Sequence, residues 1–167
     1  ALGKNAEALH NYDKALGVEP LHHEAFERAR ALLEAEKSFA RLEALYRRRL
    51  EARSDVTAKV KELAAIATLW VDQAKDPSKA IPALEHWVRL SEDAEALERL
   101  VDALSAAGRH AGANEARKRL AKLIEDDPPK RAGVLAAAAQ VAQKHLPGGG
   151  DALDLARAAL DADANVL

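Results

Sequence analysis

The residues able to do chemistry in this chain are few, and their spacing limits what that chemistry could be. His23-Glu24-Ala25-Phe26-Glu27 matches the first two fixed positions of a zinc-protease helix motif and fails the third. That site needs two His one helical turn apart to hold the metal, and the fifth residue here is Glu. The plainer reading is a polar pair near a helix start. Glu7 and His10 make one Glu-x-x-His pair. A di-iron bundle needs two such pairs and two further Glu on facing helices. The other match, Glu19 and His22, spans Pro20 and is broken as a helical pair. Pro147-Gly148-Gly149-Gly150 lacks the Gly-Lys-Ser/Thr that completes a phosphate-cradling loop, and reads as a slack inter-helix connection. With no Cys and no Gly-x-Ser-x-Gly, the common nucleophile motifs are absent. Arg47-Arg48-Arg49 with Arg53 forms a short basic cluster that could touch an acidic partner or phosphate. A solvated helix face is the commoner outcome for so short a run. The chain is expected not to be an enzyme and to carry no cofactor or metal.

The elements that would position any site follow from composition. Of 167 residues, 49% are hydrophobic but only 4% aromatic, so the core must be built mostly from Ala and Leu. Ala has the highest helix propensity, and strand-forming residues are sparse. The expected fold is all-α. A net charge of −2 and a pI near 6.3 give no basic excess of the kind a nucleic-acid binder shows, so no nucleic-acid partner is expected. No apolar run approaches the ~20 residues of a membrane helix, so no membrane partner is expected either. The absence of Cys leaves the compartment open, with the cytoplasm the first choice.

A repeat organises the chain. Residues 3–20 begin with Gly3, carry Ala8, Tyr12 and Ala15 along one helix face, and are ended by Pro20. The small-large-small frame returns, with decay, as Leu42-Tyr46-Arg49, Ala80-Leu84-Trp87, Ala113-Arg117-Leu120 and Ala152-Ala156-Ala159. The steps are 34, 38, 33 and 39 residues; the longer ones hold about one extra helical turn. Partner helices are predicted near 22–35, 55–75, 94–107 and 129–145. Asp76-Pro77 opens a helix with a cap and a Pro in the first position, Gly108 ends one, and Asp127-Pro128-Pro129 forces a break. Asp151 reads as an N-cap, and Pro82 predicts a kink or a later helix start.

This frame resembles the second helix of the tetratricopeptide repeat (TPR), whose period is 34. The segments IATLWVDQAKDPSKAI (66–81) and AAGRHAGANEARKRLAKL (106–123) look like turn-plus-second-helix segments of bacterial TPR proteins. The resemblance covers nearly the whole chain, although Arg49, Arg117 and Trp87 replace expected residues. It implies an α-solenoid of antiparallel helix pairs, a right-handed superhelix in one domain. Its parts are a half-repeat at 1–20 and pairs at 21–54, 55–93, 94–127 and 128–167. The repeat phase at both ends, and the absence of Met, suggest a fragment of a longer, bacterial protein.

The resemblance also implies a function: a protein-interaction scaffold whose first helices line a concave groove for a peptide or protein partner. By frame the groove would hold Glu62 and Asp72 in one repeat and Glu95, Glu98 and Asp102 in the next. Such a groove is locally acidic and would steer a basic peptide; ordinary solvent-facing charges are the alternative. The Lys/Asn set that clamps a terminal carboxylate in chaperone-binding relatives is not recognisable. The rival function is a structural or self-association module of a larger protein. The oligomeric state is not legible in the sequence.

Overall fold

A computed structural model describes residues 2–146, 148 and 151–163. Helices occupy Leu2–Val18 (α1), His23–Ala35 (α2), Phe39–Ala52 (α3), Val56–Thr68 (α4), Pro77–Leu90 (α5), Ala94–Ala106 (α6), His110–Leu123 (α7), Pro128–His145 (α8) and Asp151–Ala162 (α9). No strand occurs among the described residues. Helices fall in each of the windows set by the repeat frame, and the chain has an all-α helical-repeat fold. The described residues up to Asp76 form one compact unit and those from Pro77 a second.

Within the first unit, α1 packs on α2, α2 on α3 and α3 on α4. Leu9 and Leu16 of α1, Phe26 and Leu33 of α2, and Leu42 and Leu45 of α3 interlock as its core. Within the second unit, α5 to α9 pack in sequence order. Its α8–α9 end is closed mostly by alanines, among them Ala138, Ala142 and Ala159, against Leu135 and Leu155. Small side chains there let two helix axes approach closely, as the Ala-rich composition required.

The helix starts follow side-chain capping. Asp55, Asp93 and Asp127 accept hydrogen bonds from the amides of Ala58, Ala96 and Lys130 at 2.7, 2.8 and 3.1 Å. His22 does the same for Ala25 through Nδ1 at 3.2 Å, which gives this histidine a structural use at the start of α2. Each cap satisfies one of the amides a helix N-terminus leaves without a partner.

Three of the turns between consecutive helices share one device. Lys37, Lys75 and Gly108 have φ of 52°, 56° and 70°, each five residues ahead of a repeat frame. After α2, Ser38 N–H bonds to Leu33 O at 2.9 Å and Lys37 N–H to Glu34 O at 3.0 Å. After α6, Arg109 N–H bonds to Leu104 O at 2.8 Å and Gly108 N–H to Ser105 O at 3.0 Å. Both are Schellman closures, which need a left-handed residue. Gly108 was legible as a helix end; Lys37 and Lys75 were not, because lysine carries no glycine-like signal.

Two expectations change. Asp151 is the first residue of α9, and its carboxylate meets Lys118 of α7 rather than a helix amide. The α5 start is not delayed by Pro82, since the helix opens at Pro77 and runs through Pro82 on its exposed side. The Pro147–Gly150 connection lies outside the described residues apart from Gly148, whose φ is 89°. The long step between the second and third frames is explained by α4, which continues into a π-helical turn at Leu69–Gln73. That turn seats Trp70, whose indole N–H donates to Glu43 Oε2 at 2.8 Å and whose ring lies 6.3 Å from Phe39.

Candidate functional site

The two units can be laid over each other by sequence offset. Adding 71 to the bounds of α2 and α3 gives the bounds of α6 and α7. Adding 72 carries Asp55, the cap of α4, onto Asp127, the cap of α8. In both units the face to examine is the same: two first helices, with a second helix between them as the floor.

In the first unit that face is filled by its own ion pairs. Glu62 of α4 is 6% exposed, and its carboxylate lies 3.1 Å from Arg49 Nε and 3.5 Å from Arg53 Nη2. Arg49 also stacks 3.9 Å over the Phe26 ring. Arg30 of α2 bridges Glu27 and Glu34, both at 2.7 Å. The hydrogen bond to Glu27 is the largest cause raising the Arg30 pKa. Tyr46 lies among these groups, and desolvation raises its phenol. The basic cluster read from the sequence is thus distributed: Arg47 pairs with Glu43 at 2.6 Å, Arg48 approaches Asp13 at 3.8 Å, and Arg49 and Arg53 hold Glu62.

In the second unit the same face is open. A concavity of about 450 Å3 is lined by Glu98, Val101 and Asp102 of α6, Arg117 and Leu120 of α7, and Lys130, Gly133, Val134 and Ala137 of α8. By offset, Leu120 stands where Arg49 does and Val134 where Glu62 does, so a buried ion pair in one unit is an apolar pair in the other. Gly133 deepens the gap, since a Cβ there would meet nothing within 4 Å.

Of the acidic residues read from the sequence, the structure brings Glu98 and Asp102 together on this concavity. Glu98 bridges Lys130 at 2.6 Å, and the same contact is the leading cause that raises the Lys130 pKa. Asp102 is exposed. Glu95 is exposed beside Arg99 at 3.7 Å and does not line the concavity. Asp72 is exposed on the π-helical turn, and Glu62 is buried in its arginine pair. The groove lining of the second unit is therefore charge-balanced, two carboxylates and two cations, rather than acidic. The sequence frame could place carboxylates on helix faces; it could not show that Arg49 and Lys130 reach across to two of them.

Arg117 is the residue that sequence reading undervalued. It is held in place at both ends: Nη1 donates to Asn114 Oδ1 at 3.3 Å and Nη2 to Ser105 Oγ at 3.1 Å. Asn114 is itself buried and donates to Ala138 O of α8 at 2.9 Å. Both oxygens that Arg117 meets are neutral. Desolvation, the leading cause, lowers its pKa, and the nearby charge of Asp102 opposes that. The signal available in the sequence was its departure from the repeat frame.

A second concavity, of about 370 Å3, lies on α8 and α9 among Ala136, Ala139, Gln140, Gln143, Leu153 and Ala156. Leu153 and Leu160 of α9 are 61% and 42% exposed. Among the described residues no group of three or more His, Asp or Glu is gathered to hold a metal ion. No helix among the described residues is long and apolar enough to cross a membrane.

No protein-family model matches the chain, and no curated protein matches its sequence. Its fold does match solved structures. One is YrrB, a TPR protein with an unusual peptide-binding site, 21% identical, at a TM-score of 0.54 over 98% of this chain and 80% of that one. Another is BtubC (BKLC) from P. vanneervenii, 14% identical, at a TM-score of 0.52 over 98% of this chain and 71% of that one. At these identities the likeness shows the fold: this chain has the helical-repeat architecture of TPR proteins.

Proposed function

We propose that the chain is a protein-interaction scaffold, and that a peptide segment of a partner occupies the α6–α7–α8 concavity. The observation that carries this is the open, apolar-floored groove at the position the first unit fills with Arg49 and Glu62. The fold likeness to a TPR protein that binds peptide supports the same class of partner. The role is binding without catalysis. A basic partner, expected from the acidic frame, draws less support than the groove itself, because Glu62 and Glu98 already answer cations of this chain.

Panning a random peptide library on the full chain, with Gly133→Leu as a groove-blocked control, tests the reading. Enriched peptides should bind the parent chain and lose binding to G133L. Equal binding to both, or no enrichment, overturns it, as does any turnover that depends on Asp102 or Arg117. The exposed Leu153 and Leu160 favour self-association through α9 as the second reading. Light scattering at rising concentration separates the two: a mass that grows, and that L153D/L160D abolishes, supports the second.

A further inference from the structure

We infer that the α6–α7–α8 groove selects a segment carrying an internal Asp or Glu side chain flanked by apolar residues, with that carboxylate seated on Arg117. The inference rests on the binding role proposed above and adds the chemistry of its ligand.

The argument begins with what Arg117 lacks. Its guanidinium lies partly buried between α6 and α7, in a concavity also lined by Val101, Leu120 and Val134. Among the described residues no carboxylate lies within ion-pair distance of it, and its two hydrogen bonds go to Asn114 and Ser105. A guanidinium has five N–H donors in a planar fork, so these two bonds leave capacity for a bidentate carboxylate. The other cation of the groove, Lys130, is answered by Glu98.

The first unit shows what this scaffold does with arginine on the same face. There each guanidinium meets a carboxylate: Arg30 takes Glu27 and Glu34, and Arg49 and Arg53 share Glu62. Those acids come from the chain itself. In the second unit Arg117 stands, by offset, where Tyr46 does, and its hydrogen bonds go to the neutral oxygens of Asn114 and Ser105, so an acid that pairs it comes from a ligand. The carboxylate is a side chain rather than a terminus because the groove is open and offers Val101 on α6 and Val134 and Ala137 on α8 to apolar neighbours of the acid, which suits a segment passing through. Asp102 stands nearby as the one competing charge. Its presence sets the sign of a test.

The isotope-labelled 167-residue chain is titrated with acetylated, amidated Ala-Leu-Glu-Val-Ala and its Gln and Lys counterparts, while the Gly133 amide and Arg117 Nε–H signals are followed. The Glu peptide should shift both signals saturably and bind about tenfold more tightly than the Gln peptide, the usual worth of a hydrogen bond to a charged group. Arg117→Gln should erase the Glu-over-Gln preference. Asp102→Asn should strengthen Glu-peptide binding, whereas a groove made for basic ligands would weaken in its affinity for the Lys peptide. Helicity measured on each variant guards against misfolding, and the ranking of three peptides on the parent chain needs no variant at all. A Lys peptide that binds tightest while moving Gly133 sinks the acidic inference and leaves the groove standing. Three peptides that leave the Gly133 amide unmoved overturn both.

Discussion

One Asp93 oxygen accepts the Trp87 indole N–H at 2.9 Å while the other accepts the Ala96 amide at 2.8 Å. A single carboxylate thus caps α6 and ties it to the buried ring of α5. Asp93→Ala removes the cap and strands an indole N–H, for an expected loss of about 2–3 kcal/mol. Urea denaturation of the full chain measures this; a change below about 0.5 kcal/mol, the scale of a neutral surface substitution, would rule out the dual role.

Glu62 and Arg49 should behave as a pair. Glu62→Ala leaves a largely buried guanidinium without its partner, an expected cost of about 3–5 kcal/mol. The double change Arg49→Leu with Glu62→Val installs the residues that the second unit uses, and should return most of that loss. Denaturation midpoints of the single and double variants decide it. A double variant no more stable than E62A would break the equivalence of the two faces.

The left-handed lysines carry a conformational cost that glycine does not. Lys37→Gly and Lys75→Gly should each be neutral to stabilising by up to about 1 kcal/mol, while Gly108→Ala should lose about 1 kcal/mol. Thermal melts compare them, and a clear loss in K37G contradicts the strain assigned to that turn.

His110 and His145 stack at 3.9 Å between α7 and α8. Desolvation first, then the charge of His110 and Lys144, lowers the His145 pKa below 6.5. A lowered folded-state pKa means the unfolded chain takes up the proton first. This contribution to stability is therefore present above pH 6.5 and is lost as pH falls through that value towards the folded pKa. NMR titration should put the His145 midpoint below 6.5, and His110→Ala should raise it. An unmoved midpoint in H110A removes the coupling.

Much of the fold was written in local signals. Asp76-Pro77 and Asp127-Pro128 mark helix boundaries, Gly108 marks an end, and the small-large-small frame names the buried face. The π-helical turn left only a lengthened step, because no residue type announces it. Lys37 and Lys75 hid two turns, the first shaped by a Schellman closure and the second by the bond from Asp76 N–H to Trp70 O at 2.8 Å. The site was half legible. Glu98 and Asp102 were placed on the right face, but charge there depends on Lys130 and Arg117, which arrive from neighbouring helices. Glu62 looked like a free acid because nothing in its own helix reveals Arg49, thirteen positions away in sequence.

The exchange of Arg49–Glu62 for Leu120–Val134 has a consequence for how such arrays acquire partners. A fold that repeats the same face can keep one copy plugged by its own side chains while leaving its twin vacant. On the proposed function, receptivity then changes by exchanging side chains on one face of the repeat. A chain built this way can gain or retire a docking position without inventing a new surface.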